Sequence, residues 1–426
     1  MYPTSTDDPS HSGHAPSDDS RGESLDVRLR HGAAKLRDAL REVVADVPAQ
    51  STKPREFARV LKAHRVVVGR LLKAVEYSDP LAALCEMPRA EGLRTILKAS
   101  RACVRKEAIE RASQAIVDLE RLLDQEVGGW GALHSVASDW LPEARRKFEM
   151  ANKQAAFKAM ANLKGYYADT EFCAFIGYPD DTGERVDAAL VAGSVGLRRL
   201  RPSAEICVTS LGAFANGSQA ITMAGLAAPE ASDEYPLLRR FCSSPPPQFK
   251  VVRTELRAHY LLTGNGVGPG SAVDVATACT MKGRHPRYQT TPPRRIAAFG
   301  DPTVPCKSLL IDMLLHEDVW PEAAPELIMY DTTQQDLANP NSQTGELYRL
   351  KVNESITYMG QGVARFRVAG VGHYVEMLQH VCDTLSWDAS RLRGYRCHIR
   401  YPIYGTSACV VFDPPARPSA NSDLNP

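Results

Sequence analysis

Apolar residues recur at steps of three and four from Asp26 to Leu163, against a background rich in Ala, Leu, Arg and Glu and poor in proline. That period gathers them on one stripe of an α-helix, so this half of the chain is expected to be almost wholly helical. After Gly165 the pattern changes to short β-branched or alternating runs: "TEFCAFIGY", "VDAALVAG", "EICVTS", "QFKVVRTEL", "RRIAAFG", "ELIMYD", "ARFRVAG" and "ACVVFD". Gly, Pro and Asp separate these runs, as turns separate strands. Two further runs, "CKSLLIDMLLHEDVW" and "HYVEMLQHVCDTL", read as helices embedded among the strands. The expected class is α+β, an all-helical N-terminal half followed by a β-rich, mixed αβ C-terminal half.

The same pattern divides the chain. Residues 1–25 are rich in Ser, Asp, Gly and His and lack the apolar side chains that offset ordering entropy, so disorder is expected there. Residues 26–127 form a helical domain. Gly128, Gly129 and Gly131 break it, and a linker helix capped by Asp139 follows, making 128–167 the connection. The β-rich domain spans 168–413, and the Pro-rich tail 414–426 is expected to be loose.

Within the helical half, "FARVLKAHRVVVGRLLKAV" (Phe57–Val75) holds two short apolar-periodic segments around a basic middle. Pro54 suits a first helical turn, with Ser51 and Thr52 available to cap it. A helix over Pro54–Lys62 buries Phe57, Ala58 and Leu61, and a second over Val66–Val75 buries Val68, Leu71 and Leu72. The "KAHR" between them has the length of a helix-turn-helix connection. Asp79 and Pro80 then start a further helix rather than a hairpin wing.

Ala58 at the crossing, Val68 inside the second helix, Leu71 as its anchor and the ending "GRLLKAV" together resemble the helix-turn-helix of bacterial IclR-type transcription regulators. The resemblance covers residues 54–76. It departs from the pattern at Lys62, where glycine is usual, and at Ala63, a weak apolar choice. It implies that His64, Arg65, Val66, Gly69, Arg70 and Lys73 face the major groove. Lys53, Arg55, Lys62 and Lys73 would then contact phosphates, and Arg65 and Arg70 would read guanine. Gly69 would allow close approach to the bases or backbone.

Composition adds one thing to this picture. The net charge of +1 is uninformative as a sum, but Ser51–Arg111 carries fourteen Lys/Arg against seven Asp/Glu, so basic charge concentrates around the motif. Two basic-faced helices of an ordinary bundle would look the same, and that reading stays open. Double-stranded DNA is the expected partner.

The helix over about 104–127 carries Ile109, Ala112, Ile116, Leu119 and Leu123 at coiled-coil spacing. Either this face pairs with a second copy, giving a homodimer, or it packs within its own domain.

No chemistry-bearing constellation stands out in the C-terminal half. "GNGVGPG" (264–270) lacks the order and lysine of a phosphate loop, and "AGSVG" (192–196) lacks the first glycine of a nucleophile elbow. "LHEDVW" has no second histidine at zinc-site spacing, and His373 and His380 lie two helical turns apart. Asp301, Asp312, Glu317 and Asp318 are read as loop and cap residues. The ten cysteines form no C-x-x-C pair, and on a strand Cys397 and His398 point to opposite faces. Neither catalytic nor metal-binding residues are assigned, and no cofactor is expected. The start shows no secretory pattern, and no run reaches the ~20 apolar residues of a membrane span. The expected setting is cytoplasmic, with no membrane partner.

The functional expectation is a DNA-binding transcriptional regulator whose C-terminal half senses a small-molecule effector or a partner protein. An enzyme built from separated residues is the alternative. A chromosome-associated or mobile-element protein, whose β-rich half serves assembly, is a third.

Overall fold

A computed structural model describes the chain outside residues 1–22, 49–52, 213, 217–218, 222–223, 227–235, 255–256, 265, 333–337 and 419–426. Most of the expected N-terminal disorder, the Ser51–Thr52 cap and the end of the tail therefore lie outside the described residues. The fold is α+β, with helices concentrated in residues 25–164 and mixed sheets after them. It divides into two compact units, one up to Phe148 and one from Glu149 onward.

The first unit contains α1 (Leu25–Asp46), α2 (Pro54–Val60), α3 (Arg65–Glu76), α4 (Pro80–Glu86), α5 (Ala90–Ser100), α6 (Lys106–Glu126) and α7 (Leu133–Ala137). The unit boundary falls inside α8 (Pro142–Lys164), which starts at its proline rather than at Asp139. Leu29, Ala33, Leu36, Leu40 and Val43 alternate steps of four and three, putting one apolar stripe of α1 into the core. The matching stripe of α6 (Ile109, Ala112, Ile116, Leu119 and Leu123) is buried in the same cluster. Arg28–Glu126 (2.6 Å), Arg111–Glu42 and Arg105–Asp46 (2.7 Å) show the two helices running antiparallel. Gly32 permits their close approach, since a Cβ there would lie 3.2 Å from Leu119 Cδ1. The face of α6 with coiled-coil spacing is thus buried inside its own unit, against α1. The sequence was ambiguous because both uses need the same spacing.

The second unit contains β1 (Tyr166–Pro179), β2 (Arg185–Arg199), β3 (Ile206–Gly212), β4 (Phe214–Asn216), β5 (Gln219–Ile221), β6 (Ala224–Gly225), β7 (Phe249–Arg253) and β8 (Arg257–Leu262). It continues with β9 (Val273–Pro286), β10 (Ile296–Gly300), β11 (Cys306–His316), β12 (Glu326–Asp331), β13 (Ile356–Gln361), α9 (Tyr374–Thr384), β14 (Leu392–Arg400) and β15 (Thr406–Phe412). Seven strands make the main sheet in the order β13-β14-β11-β1-β2-β9-β6, antiparallel except for the parallel β1–β11 pair. One face packs Ile311, Met313 and Leu315 against Ala408, Val410 and Phe412 of the three-stranded sheet β10-β15-β12. The other packs Phe172, Ala174, Leu310 and Leu314 against Met377, Leu378 and Val381 of α9.

Two expectations fail here. The Cys306–His316 part of "CKSLLIDMLLHEDVW" is the strand β11, not a helix. It lies between β14 and β1 and is buried on both faces, so it has the unbroken apolar run that helices and central strands share. "ARFRVAG" was expected as a strand, but Val363–Phe366 forms a short 3₁₀ turn. Asp312 and Arg396 face each other across β11 and β14, both almost wholly buried. Arg396 donates to both carboxylate oxygens (2.8 and 2.7 Å) and to the Phe366 (2.6 Å) and Arg367 (2.8 Å) carbonyls. Tyr374 Oη donates to Asp312 Oδ2 at 2.8 Å. Burial works against the Arg396 charge, yet the carboxylate holds its pKa above the ordinary value.

Candidate nucleic-acid interface

The first unit brings two short helices together around a single tight turn. Pro54 begins α2, as its fixed φ favours, with Lys53 as the capping residue. Phe57, Ala58 and Leu61 from this side, and Val68, Leu71, Leu72 and Val75 from α3, all enter the core. Ala63 N–H donates to the Ala58 carbonyl (3.0 Å) and Lys62 N–H to that of Arg59 (3.3 Å), while Lys62 has φ +51°. This is the left-handed helix stop in which glycine is usual. Ala63, partly buried against the core, supplies the apolar contact that accompanies it.

A lysine in that conformation costs on the order of 1 kcal/mol. Lys62→Gly is therefore expected to raise the unfolding free energy of this unit by about 1 kcal/mol. Urea denaturation followed by helical circular dichroism checks this, and an unchanged or lowered midpoint would contradict the strain. His64 then caps α3, its Nδ1 accepting from Val66 N–H at 3.3 Å.

Lys53, Arg55, Arg59, Lys62, His64, Arg65 and Val66 are exposed. Arg55, Arg59, Lys62 and Arg65 make no ion pair among the described residues. The other candidates are differently placed. Gly69 faces α2, where a Cβ would meet Pro54 Cβ at an ordinary 3.6 Å. Arg70 reaches the end of α4, donating to the Glu86 (3.2 Å) and Met87 (3.0 Å) carbonyls. These are among the carbonyls that a helix end leaves unpaired, and a cation there also suits the helix dipole.

Lys73 Nζ pairs with Glu86 at 3.0 Å, and Lys147 of α8 pairs with the same carboxylate. Burial alone would push the Glu86 carboxyl up, but the ammoniums of Lys147 and Lys73 hold it below the usual range. His134 of α7 approaches the Cys85 carbonyl at 3.0 Å, so three neighbouring elements close the end of α4. Asp79 caps the start of α4, accepting from Leu81 and Ala82 N–H.

The candidate residues therefore fall into two groups. Lys62, His64 and Arg65 lie in the turn and the first turn of α3 and Arg55 at the start of α2, whereas Arg70 and Lys73 tie α3 to α4. Arg59, exposed on α2 like Arg55, joins the exposed cations although the sequence reading did not name it.

The residues singled out in the second unit do not converge. Glu317 and Asp318 pair with Arg391, Asp301 accepts from Ser407, and Asp312 is held by Arg396. His373 precedes α9 with φ +56°, and His380 lies beside the Phe241 ring (5.7 Å). Cys397 is buried while His398 is exposed and shares a hydrogen bond with Ser308 (2.6 Å). A mostly apolar cavity of about 20 Å³, with room for roughly one water, lies among Phe175, Val186, His285, Met313, Trp320 and Phe412. His285 is pushed down to about 3 by burial and the neighbouring Arg284 and Arg185, so it is neutral. Among the described residues no helix is long and apolar enough to cross a membrane, and no group of three or more His, Cys, Asp or Glu side chains could hold a metal.

Comparison with protein families, with curated proteins and with solved structures finds no match to this chain.

Proposed function

We propose that the first unit binds double-stranded DNA, with the first turn of α3 in the major groove and α2 against the sugar-phosphate backbone. The observation that carries this is the left-handed stop at Lys62. It sets α3 directly after α2 and leaves Arg55, Arg59, Lys62 and Arg65 exposed and, among the described residues, without counter-ions. In this reading Arg65, at the first position of α3, reads a base edge, and Arg55, Arg59 and Lys62 contact phosphates. Arg70 and Lys73 act at one remove, fixing the recognition helix on α4.

The second unit, with its own core, is the regulatory half. It senses an effector or partner and adjusts DNA binding, as in the regulators that the α2–α3 segment resembles.

Titration of random-sequence 20-base-pair duplex by anisotropy tests the binding. Three phosphate contacts predict an affinity loss on the order of 40-fold between 50 and 200 mM salt. On a preferred sequence, Arg65→Ala should lose about 1–3 kcal/mol. Salt-independent binding, or an Arg65→Ala variant equal to the parent, would count against the proposal.

A further inference from the structure

Val66, the second residue of α3, is 62% exposed, while Val67 and Val68 beside it are half-buried and buried. Among the described residues of its unit it is the most exposed large apolar side chain. The side chain one turn further on, Arg70, is held at the Glu86 and Met87 carbonyls. Arg65 immediately precedes Val66, and Lys62 lies in the turn before them, both exposed cations. Scattered surface valines need no explanation. This one is different because it sits at the groove-facing end of a recognition helix and is flanked by cations that complement a polyanion.

A short branched side chain can offer DNA one thing, an apolar contact. The major groove presents one apolar group, the 5-methyl of thymine. We infer that Val66 is a specificity-determining residue that packs on a thymine methyl, next to the base edge read by Arg65. The inference rests on the DNA-binding reading above and adds to it the chemical group recognised.

The experiment selects preferred sites for the full chain from a random 20-base-pair duplex pool. Each thymidine of the selected site is then replaced in turn by deoxyuridine, which removes the methyl and nothing else. For the parent, one position is expected to lose about four-fold in affinity, the worth of one apolar methyl removed from water. Val66→Ala should bind the parental site several-fold more weakly and show no further loss on deoxyuridine at that position. Because Val66 is exposed, its truncation leaves the core intact, which a far-ultraviolet spectrum identical to the parent's would verify.

Salt-dependent binding with no deoxyuridine effect, or with an equal effect in Val66→Ala, would overturn this inference while leaving the DNA-binding reading standing. Absence of salt-dependent binding to any duplex would overturn both.

Discussion

Asp312→Ala is expected to lower the stability of the C-terminal unit by about 3–5 kcal/mol, because removing one partner of a buried ion pair leaves the other charge uncompensated. Arg396 would keep the Phe366 and Arg367 carbonyls as acceptors but lose both bonds to the carboxylate, and Tyr374 would lose its acceptor. The position offers no retreat to water, since Asp312 is 1% exposed and lies on a strand inside the main sheet. The pair itself need not be strongly stabilising. Replacing both residues, Asp312→Leu with Arg396→Met, is therefore expected to recover a large part of the loss. Denaturant unfolding followed by the fluorescence of Trp320 and Trp387, both in this unit, reads both variants. A single-variant loss below about 1 kcal/mol would contradict the buried-pair account.

Leu71→Ala should cost the N-terminal unit about 2–5 kcal/mol, the range for truncating a wholly buried leucine. Leu71 belongs to the core cluster that also takes in Phe57 and Leu61 from the α2 side, so the loss falls where the two helices are held together. The consequence reaches beyond stability. With α2 and α3 loosened, the exposed cations of the turn lose their fixed spacing, and duplex affinity should fall although no surface residue has changed. Unfolding followed by helical circular dichroism gives the first effect and anisotropy on duplex gives the second. A midpoint within error of the parent would show that this core tolerates the cavity.

Helices α2 and α3 and the start of α4 were legible because each of their signals is local. Pro54 marks a start, the steps of three and four mark the buried faces, and Asp79–Pro80 marks the next helix. Lys62 stood out in the sequence because a lysine occupies the usual glycine position, and its backbone does take the left-handed form. The roles of Arg70 and Lys73 were not legible, because they depend on the end of α4 coming to lie beside α3. No spacing within residues 54–76 encodes that contact.

The apolar face of α6 illustrates the same limit, since its residues fit α1 as well as they fit a second copy. β11 was misread for a different reason. A strand covered on both faces loses the alternation that identifies strands, and eleven residues are long enough to suggest a helix. From its local sequence Asp312 reads as a loop or cap residue. Its real partner, Arg396, lies 84 positions away and is brought opposite it by sheet register.

The central claim is that the exposed cations of α2, the turn and α3 meet the phosphates of a duplex. Its most direct test is the slope of log affinity against log salt, measured on one duplex for the parent and for Arg55→Ala, Arg59→Ala and Lys62→Gly separately. Each lost phosphate contact should make the slope shallower by about 0.9, while Lys250→Ala, on exposed β7 of the other unit, leaves it unchanged. Equal slopes for the parent and all three variants of the first unit would contradict the claim.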